Sequence, residues 1–519
     1  MANQTRACRL LGALLLLAGL LAPSESECGS GTLRPHIYST DWFMNRYWEE
    51  LELNQPRGIR YVMVRPLAIR ADAGLGQVTA WDPLFNSTGG REDWHFNRKY
   101  NIFDKLFNRT RHRSQSGHAS MRLDYRLVPY SQDLLADDAR PIHRIGTNAE
   151  VWFGYLSRWQ VHIRARLENH GELDPQFHGR IWKEKLTGWV DNAAVYYSVD
   201  RFFVSAGRSF IQWGPESRDA LLLSDHGPPL DRLWLGYENR VFRFDVIHAR
   251  LDDMRSGDEL VSRYLSAHRL TFRKAGLFEL GLSEVVLYGG IDRQPEWYYL
   301  NPFLPYYWEQ WNQRQEDNIM FGADFVVYWP KRARIFGELL VDDFQIDFES
   351  EPHQVGYKLG VDALEPFGLR RIFTKLTYTR LNPTVYGQIL RRNLYLHKGE
   401  PLGYFGGNDQ DRWLGLLRYH ASVNFDFELE LQRQRRGEGK IGVFEVAAVP
   451  YQDQFPTGVV EKSTKLTLRC DFFTKLMLQG YLAASYEHLD NFAHQDGVSH
   501  DRVSLDISLA WYLEGATNN

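Results

Sequence analysis

Ser224, Asp225 and His226 stand side by side and offer a hydroxyl, a carboxylate and an imidazole. These are the groups of nucleophilic acyl transfer. Adjacent residues on one loop do not normally converge as nucleophile, base and orienter, so that chemistry is rejected. Asp342 and Asp343 pair two carboxylates that could hold a cation or act as acid and base. No second carboxylate pair stands at a readable spacing, and no metal or catalytic role is assigned to them. The chain has no G-x-S-x-G, no HExxH and no P-loop. Neither an enzyme activity nor a cofactor is expected.

The aromatic residues offer a different chemistry. They make up 14% of the chain, as Trp 16, Tyr 27 and Phe 30. Such a load suits sugar-stacking surfaces and membrane-interface girdles. In the stretch 209–230, Trp213 stands beside Gly214-Pro215, followed by Glu216, Arg218, Asp225 and His226. The ring could meet the C–H face of a sugar while the carboxylates and guanidinium bind hydroxyls. In the stretch 289–317 the dense set is Trp297, Tyr298, Tyr299, Tyr306, Tyr307, Trp308, Glu309, Gln310, Trp311 and Asn312. The glycan-binding candidates are therefore Trp213, Glu216, Arg218, Asp225, Trp308, Glu309, Trp311 and Asn312.

Both stretches must be held by something, and the rest of the sequence says what. From about residue 119 the hydrophobic pattern has period two. Val423, Phe425, Phe427, Leu429 and Leu431 alternate with Asn424, Asp426, Glu428 and Glu430. Val161, Ile163, Ala165 and Leu167 alternate with His162, Arg164, Arg166 and Glu168, and Val503 to Trp511 repeats the pattern. Strict alternation places one set on each face of a sheet. One face is apolar and the other carries full charges, which a buried sandwich core would reject. A closed barrel with lipid outside and water inside accepts both.

About 18 such strands can be read, an even number as in single-chain outer-membrane barrels. Links after even-numbered strands are short, as at Val199–Asp200, Arg273–Gly276 and Phe473–Thr474. Most links after odd-numbered strands are long: 128–146, 169–189, 209–230, 289–317, 381–410 and 434–463. A membrane barrel has short periplasmic turns and longer external loops, so both termini are expected in the periplasm. The fold class is thus an all-β membrane protein, an antiparallel transmembrane β-barrel with a small N-terminal helical or mixed domain. A soluble β-propeller is the alternative, but no repeat of blade length is present.

The expected division is a signal peptide over 1–26, an N-terminal periplasmic or plug domain over 27–118, the barrel over 119–513 and a tail over 514–519. Arg6 and Arg9 precede an apolar run from Leu10 to Ala22 that is short for a membrane span. Within the second segment, WFMNRYWEELEL and REDWHFNRKYNIFDKLFN read as helices. The barrel would leave Arg164, Arg166, Glu168, Asp426 and Glu428 lining the lumen, where internal salt bridging outweighs a pore or polymer-binding role. For Trp213 and its neighbours, a loop folded into the lumen outweighs a sugar platform. For the stretch 289–317, a carbohydrate surface and packing at the barrel mouth or an interface girdle weigh equally.

Net charge is −4, from Lys+Arg 61 and Asp+Glu 65, which argues against a nucleic-acid partner. Outer-membrane lipid and the barrel-insertion machinery are the general partners such a barrel needs, and a monomer is expected. Of three cysteines, Cys8 falls in the signal. Cys28 and Cys470 remain, and a disulfide between them is the alternative to two separate thiols.

Four ordered blocks carry a resemblance. They are GRSFIQWGPESRDALLLS over 207–224 with HGPPLD over 226–231, NPFLPYYWEQWN over 301–312, GELLVDDFQ over 337–345 and PLGYFGGNDQD over 401–411. Together they resemble the Wzi-like capsule-assembly family of outer-membrane proteins, over the barrel portion. The resemblance implies an 18-stranded barrel with a helical periplasmic portion. It also implies non-catalytic binding or anchoring of capsular or related surface polysaccharide. A porin-like channel for small sugars or anions is the alternative function.

Overall fold

The fold was analysed in a computed structural model that describes residues 64–65, 115–129, 141–155, 158–174, 176–216, 219–274, 276–329, 332–343, 354–422, 424–443, 454–473 and 478–517. The expected signal peptide, the two N-terminal helices and Cys28 lie outside these residues.

Eighteen long strands form one antiparallel sheet. They are β1 (Gln115–Pro129), β2 (Pro141–Tyr155), β3 (Trp159–Asn169), β4 (Leu186–Val199), β5 (Phe202–Ser209) and β6 (Leu230–Glu238). Next come β7 (Phe242–Arg250), β8 (Glu259–Lys274), β9 (Phe278–Ile291), β10 (Asn318–Trp329), β11 (Ala333–Asp343) and β12 (Gln354–Leu364). The last six are β13 (Ile372–Leu381), β14 (Gln410–Tyr419), β15 (Phe425–Arg436), β16 (Glu461–Phe473), β17 (Leu478–Asp490) and β18 (Ser499–Thr517). Each strand pairs with its neighbour in sequence. β1 also pairs with β18, from Gly117 opposite Thr517 to Leu127 opposite Ile507, which closes the barrel. Closure removes every free edge, the condition for a sheet to cross lipid. The barrel begins at Gln115, ahead of residue 119, and β18 runs on to Thr517 because β1 supplies partners for those residues.

The alternation read from the sequence is the alternation of the wall. Phe425, Phe427, Leu429 and Leu431 are exposed, whereas Asp426 and Glu428 are buried. Ile163 and Leu167 are exposed, whereas His162 and Arg164 are buried. A wall with apolar side chains outside and charges inside is the reverse of a water-soluble core and fits surrounding lipid. Links from β4 to β5, β6 to β7 and β8 to β9 are short. Those from β5 to β6, β9 to β10 and β13 to β14 are long, so the two rims differ as the sequence predicts.

Inside the wall the charges are paired across strands. Arg164 Nε donates to Asp191 at 2.6 Å, and Arg418 binds Glu428 at 2.9 and 2.7 Å. Arg269 on β8 reaches over β9 to Asp324 on β10, at 2.6 and 2.7 Å. Gly281 is the residue it passes over, and a Cβ there would strike the guanidinium. Glycine at this point permits a bidentate pair across three strands.

Candidate functional site

Two long links fold into the barrel. The link between β5 and β6, residues 210–229, buries Phe210, Ile211, Trp213, Leu221, Leu222 and Leu223. The link between β13 and β14, residues 382–409, buries Val385, Tyr386, Leu394, Tyr395, Leu402 and Tyr404. Both pack into one apolar cluster with inward wall residues Ile247, Leu265, Val285, Leu287, Met320 and Leu340. Trp213 is 1% exposed at its centre. Short apolar runs such as Ala220-Leu-Leu-Leu223 thus belong to a plug rather than to a strand.

Hydrogen bonds stitch the two links together. Tyr395 Oη donates to the Leu222 carbonyl at 2.8 Å, and the Ser224 N–H donates to the Leu402 carbonyl at 2.8 Å. The N-terminal segment joins this plug: Val64–Arg65 pairs antiparallel with Gln212–Trp213.

Wall charges fix the plug in place. Lys358 on β12 lies 2.9 Å from Glu216 and 3.2 Å from Glu338 on β11, and donates to the Asp219 carbonyl. Lys375 on β13 also meets Glu216, at 3.2 Å, and Arg412 on β14 meets Asp219 at 3.1 Å. Glu338 accepts the Leu221 N–H at 2.7 Å, and Asp342 accepts the Tyr386 N–H at 2.5 Å. Arg263 on β8 donates to the carbonyls of Arg392, Leu394 and Leu396 at 2.8, 2.7 and 3.0 Å. Buried charges need such partners, and here the partner is often the plug backbone itself.

The mouth of the plug lies at the long-link rim. A crevice runs between Ser224–Pro228 and His397–Leu402, floored by Phe210 and Ile211. His226 stands beside it with its Nε2 3.8 Å from Glu400, and its ring lies 5.4 Å from that of Phe405, which is 37% exposed. Glu400 in the lining of the crevice and the imidazole and aromatic face next to it can together stack on a sugar ring and bind its hydroxyls. At its side, Asp252 in the β7–β8 link accepts the Lys398 N–H at 2.9 Å and lies 3.2 Å from both His397 Nδ1 and Arg263 Nη1. Burial acts to raise the Asp252 carboxyl, but His397, Lys398 N–H and Arg263 hold it down at about 2. Burial holds the His397 imidazole below its ordinary value.

The aromatic stretch 289–317 folds elsewhere. It forms α1 (Trp297–Leu300) and α2 (Tyr306–Gln313). Tyr299 and Tyr306, both fully buried, pack on Tyr264, Val286, Tyr288 and Ile319. Those four alternate with the lumen residues Leu265, Val285, Leu287 and Met320, so they face outward. The helical hairpin therefore lies on the outside of the wall. Arg293 ties its base to Asp317 at 2.5 and 2.8 Å and to Glu296 at 3.0 and 2.8 Å.

The glycan candidates accordingly separate into three groups. Trp213 and Glu216 are buried plug residues, and Arg218 lies outside the described residues. Asp225, 5% exposed, is behind the crevice, where its carbonyl accepts Gln176 Nε2 at 2.9 Å. Trp308, Glu309, Trp311 and Asn312 lie on the outer-wall hairpin. Arg164, Arg166, Glu168, Asp426 and Glu428 stand on inward positions and are paired: Arg166 meets Asp174 at 2.8 Å, Arg144 meets Glu168 at 3.1 Å and His420 meets Asp426 at 3.0 Å. Cys470 is a free thiol on β16 at an outward position, between Leu468 and Phe472. Lys358, Glu338, Arg263 and Asp252 were missed as plug anchors, since each reads in sequence as one more lumen or loop charge. Among the described residues, no cluster of His, Cys, Asp and Glu could hold a metal ion.

Comparison with known proteins places this architecture. No curated protein matches the chain. Among solved structures, the chain is similar to Wzi of Escherichia coli, whose description is an outer membrane protein involved in group 1 capsule assembly and a carbohydrate-binding β-barrel. The TM-score is 0.59 at 13% identity, over 93% of this chain and 99% of that one. The OccD3 (OpdP) structure of Pseudomonas aeruginosa aligns with a TM-score of 0.44 at 10% identity, over 77% of this chain and 91% of that one. The family model for capsule assembly protein Wzi matches residues 131–502, most of the barrel and both plug links, and the chain belongs to that family.

Proposed function

We propose that this protein sits in the outer membrane and binds or anchors surface polysaccharide, capsular where the host makes a capsule, without catalysis. The observation that carries the reading is the filled lumen. An apolar cluster of two inward links, locked to the wall by Lys358, Arg263 and Arg412, suits a fixed binding face and works against a porin-like channel. Family membership supports the same reading. Polymer contact is assigned to the crevice at the long-link rim and the surface beside it, with Glu400 in its lining, His226 and Phe405 next to it as accessible groups, and Asp225 behind them. Residues 1–26 would direct export, the insertion machinery would place the barrel as a monomer, and the short-link rim with both termini would face the periplasm.

The test is binding of purified protein to surface polysaccharide from its own host. Phe405→Ala and His226→Ala should each weaken binding several-fold, with heat-modifiable gel mobility unchanged. Equal binding by both variants would remove the crevice as the site. A wild-type protein that binds no host polysaccharide but conducts small sugars would replace the reading with the channel.

A further inference from the structure

The outer-wall hairpin is greasy on the wrong side for a helix facing water. In α2 the wall side carries Tyr306, fully buried, and Gln310, whose Nε2 donates to the Asp317 carbonyl at 2.6 Å. The side turned away from the wall carries Trp308 and Trp311, 66% and 69% exposed, and Tyr307 at its flank is 43% exposed. Trp297 and Phe303 beside it are 75% and 82% exposed. A helix of a soluble protein places such residues inward.

The wall beneath explains why the hairpin is there. Glu284 on β9 and His268 on β8 both point outward and lie 2.9 Å apart. A bare carboxylate on the lipid face would be costly. The hairpin covers it: Glu284 accepts the N–H groups of Tyr306 and Tyr307 at 3.1 and 2.8 Å, capping the first turn of α2. The cover then continues the apolar belt. Phe303 stacks on Phe244 with ring centroids 5.8 Å apart, and Tyr307 meets Phe321 at 5.8 Å. Phe244 and Phe321 are outward residues of the wall. Glu284 is seven residues from Ile291 at the strand end, on the order of 20 Å along β9 at a rise of ~3.4 Å per residue. The hairpin thus comes well down the wall from the rim.

We propose that the α1–α2 hairpin is a lipid-contacting strap. Trp297, Phe303, Trp308 and Trp311 sink into the acyl region of the leaflet on the long-link side, and Asn312, Gln313 and Arg314 meet its headgroups. The assignment rests on the outer-membrane reading and is independent of polysaccharide binding. The strap hides a charged pair while presenting lipid with a surface continuous with the belt.

Full-length protein in bilayers containing acyl-brominated phosphatidylcholine tests this. Bromine quenches tryptophan fluorescence only at short range. Trp308→Tyr with Trp311→Tyr should remove a component of the emission that bromolipid quenches strongly and aqueous acrylamide quenches weakly. Trp297→Tyr should remove a similar component, and it keeps the test open should the double variant fail to fold. A lost component quenched by acrylamide and untouched by bromolipid would overturn the proposal. Polysaccharide binding by the same variants should stay at the wild-type level, which separates this assignment from the glycan reading.

Discussion

Tyr386 donates its phenol hydrogen to the carbonyl of Leu221 across a 2.5 Å bond, and the same oxygen accepts the Tyr404 N–H at 3.0 Å. One hydroxyl thus joins the two inward links and satisfies two buried backbone groups. Tyr386→Phe keeps the ring and orphans both. The expected cost is about 1–3 kcal/mol. Hydrogen exchange should speed up at residues 219–223 and 404–407 while the β-strand amides keep their protection. Unchanged exchange there would mean that the phenol does not join the links.

Trp213 fills the centre of the plug, with the Arg269 guanidinium 5.8 Å from its ring. Trp213→Ala should cost about 3–5 kcal/mol by leaving a cavity. The barrel wall has its own pairing and should survive. Planar-bilayer recording should then show intermittent conductance in the variant against a silent wild type. A wild type that conducts steadily would count against the filled lumen.

Lys358 is the hub of the anchor network, and removing it tests whether charge or packing seats the plug. Lys358→Met leaves Glu216 facing Glu338, with Lys375 still 3.2 Å from Glu216 and Arg412 also close enough to act on it. Breaking a buried pair in this way should cost about 3–5 kcal/mol. Adding Glu338→Gln should restore much of that loss, because it removes the uncompensated carboxylate. The loss and its recovery would be read from the thermal midpoint of the gel-shift transition. A double variant no better than Lys358→Met would place the energy in packing.

The wall was legible in the sequence because lipid imposes one simple rule on each strand. The Phe425–Leu431 alternation needs no knowledge of tertiary partners, and the link lengths sort themselves by rim. The plug was legible only in outline. Gly214-Pro215 and Pro228-Pro229 pointed to an inward loop, but its partners come from β11, β12 and β13, more than a hundred residues away in sequence. Glu338 and Lys358 look like any other inward charges on alternating strands. The hairpin was the least legible. Tyr306 and Trp308 are two residues apart in an aromatic run, and only the packed helix decides which faces the wall and which faces away. A short helix on an outer wall breaks the usual sense of amphipathicity, so its aromatic residues read equally well as a sugar surface.

Acid should loosen the mouth before it loosens the wall. Asp252 latches the β7–β8 link to Lys398 and His397, and its carboxyl titrates at about 2 instead of its ordinary 3.8. A carboxylate held low stabilises the latched form at every pH above its ordinary value, and that contribution disappears as pH falls from about 4 towards 2. His397 works in the same direction. Its neutral form is favoured by burial, so protonation below its ordinary 6.5 also weighs against the latched form. Opening of 396–402, followed by hydrogen exchange corrected for intrinsic rates, should therefore rise in two stages as pH drops from 7 to 2. Asp252→Asn should abolish the lower stage and raise opening at neutral pH, and His397→Gln should abolish the upper one. A single profile shared by wild type and Asp252→Asn would show that this carboxylate does not hold the mouth.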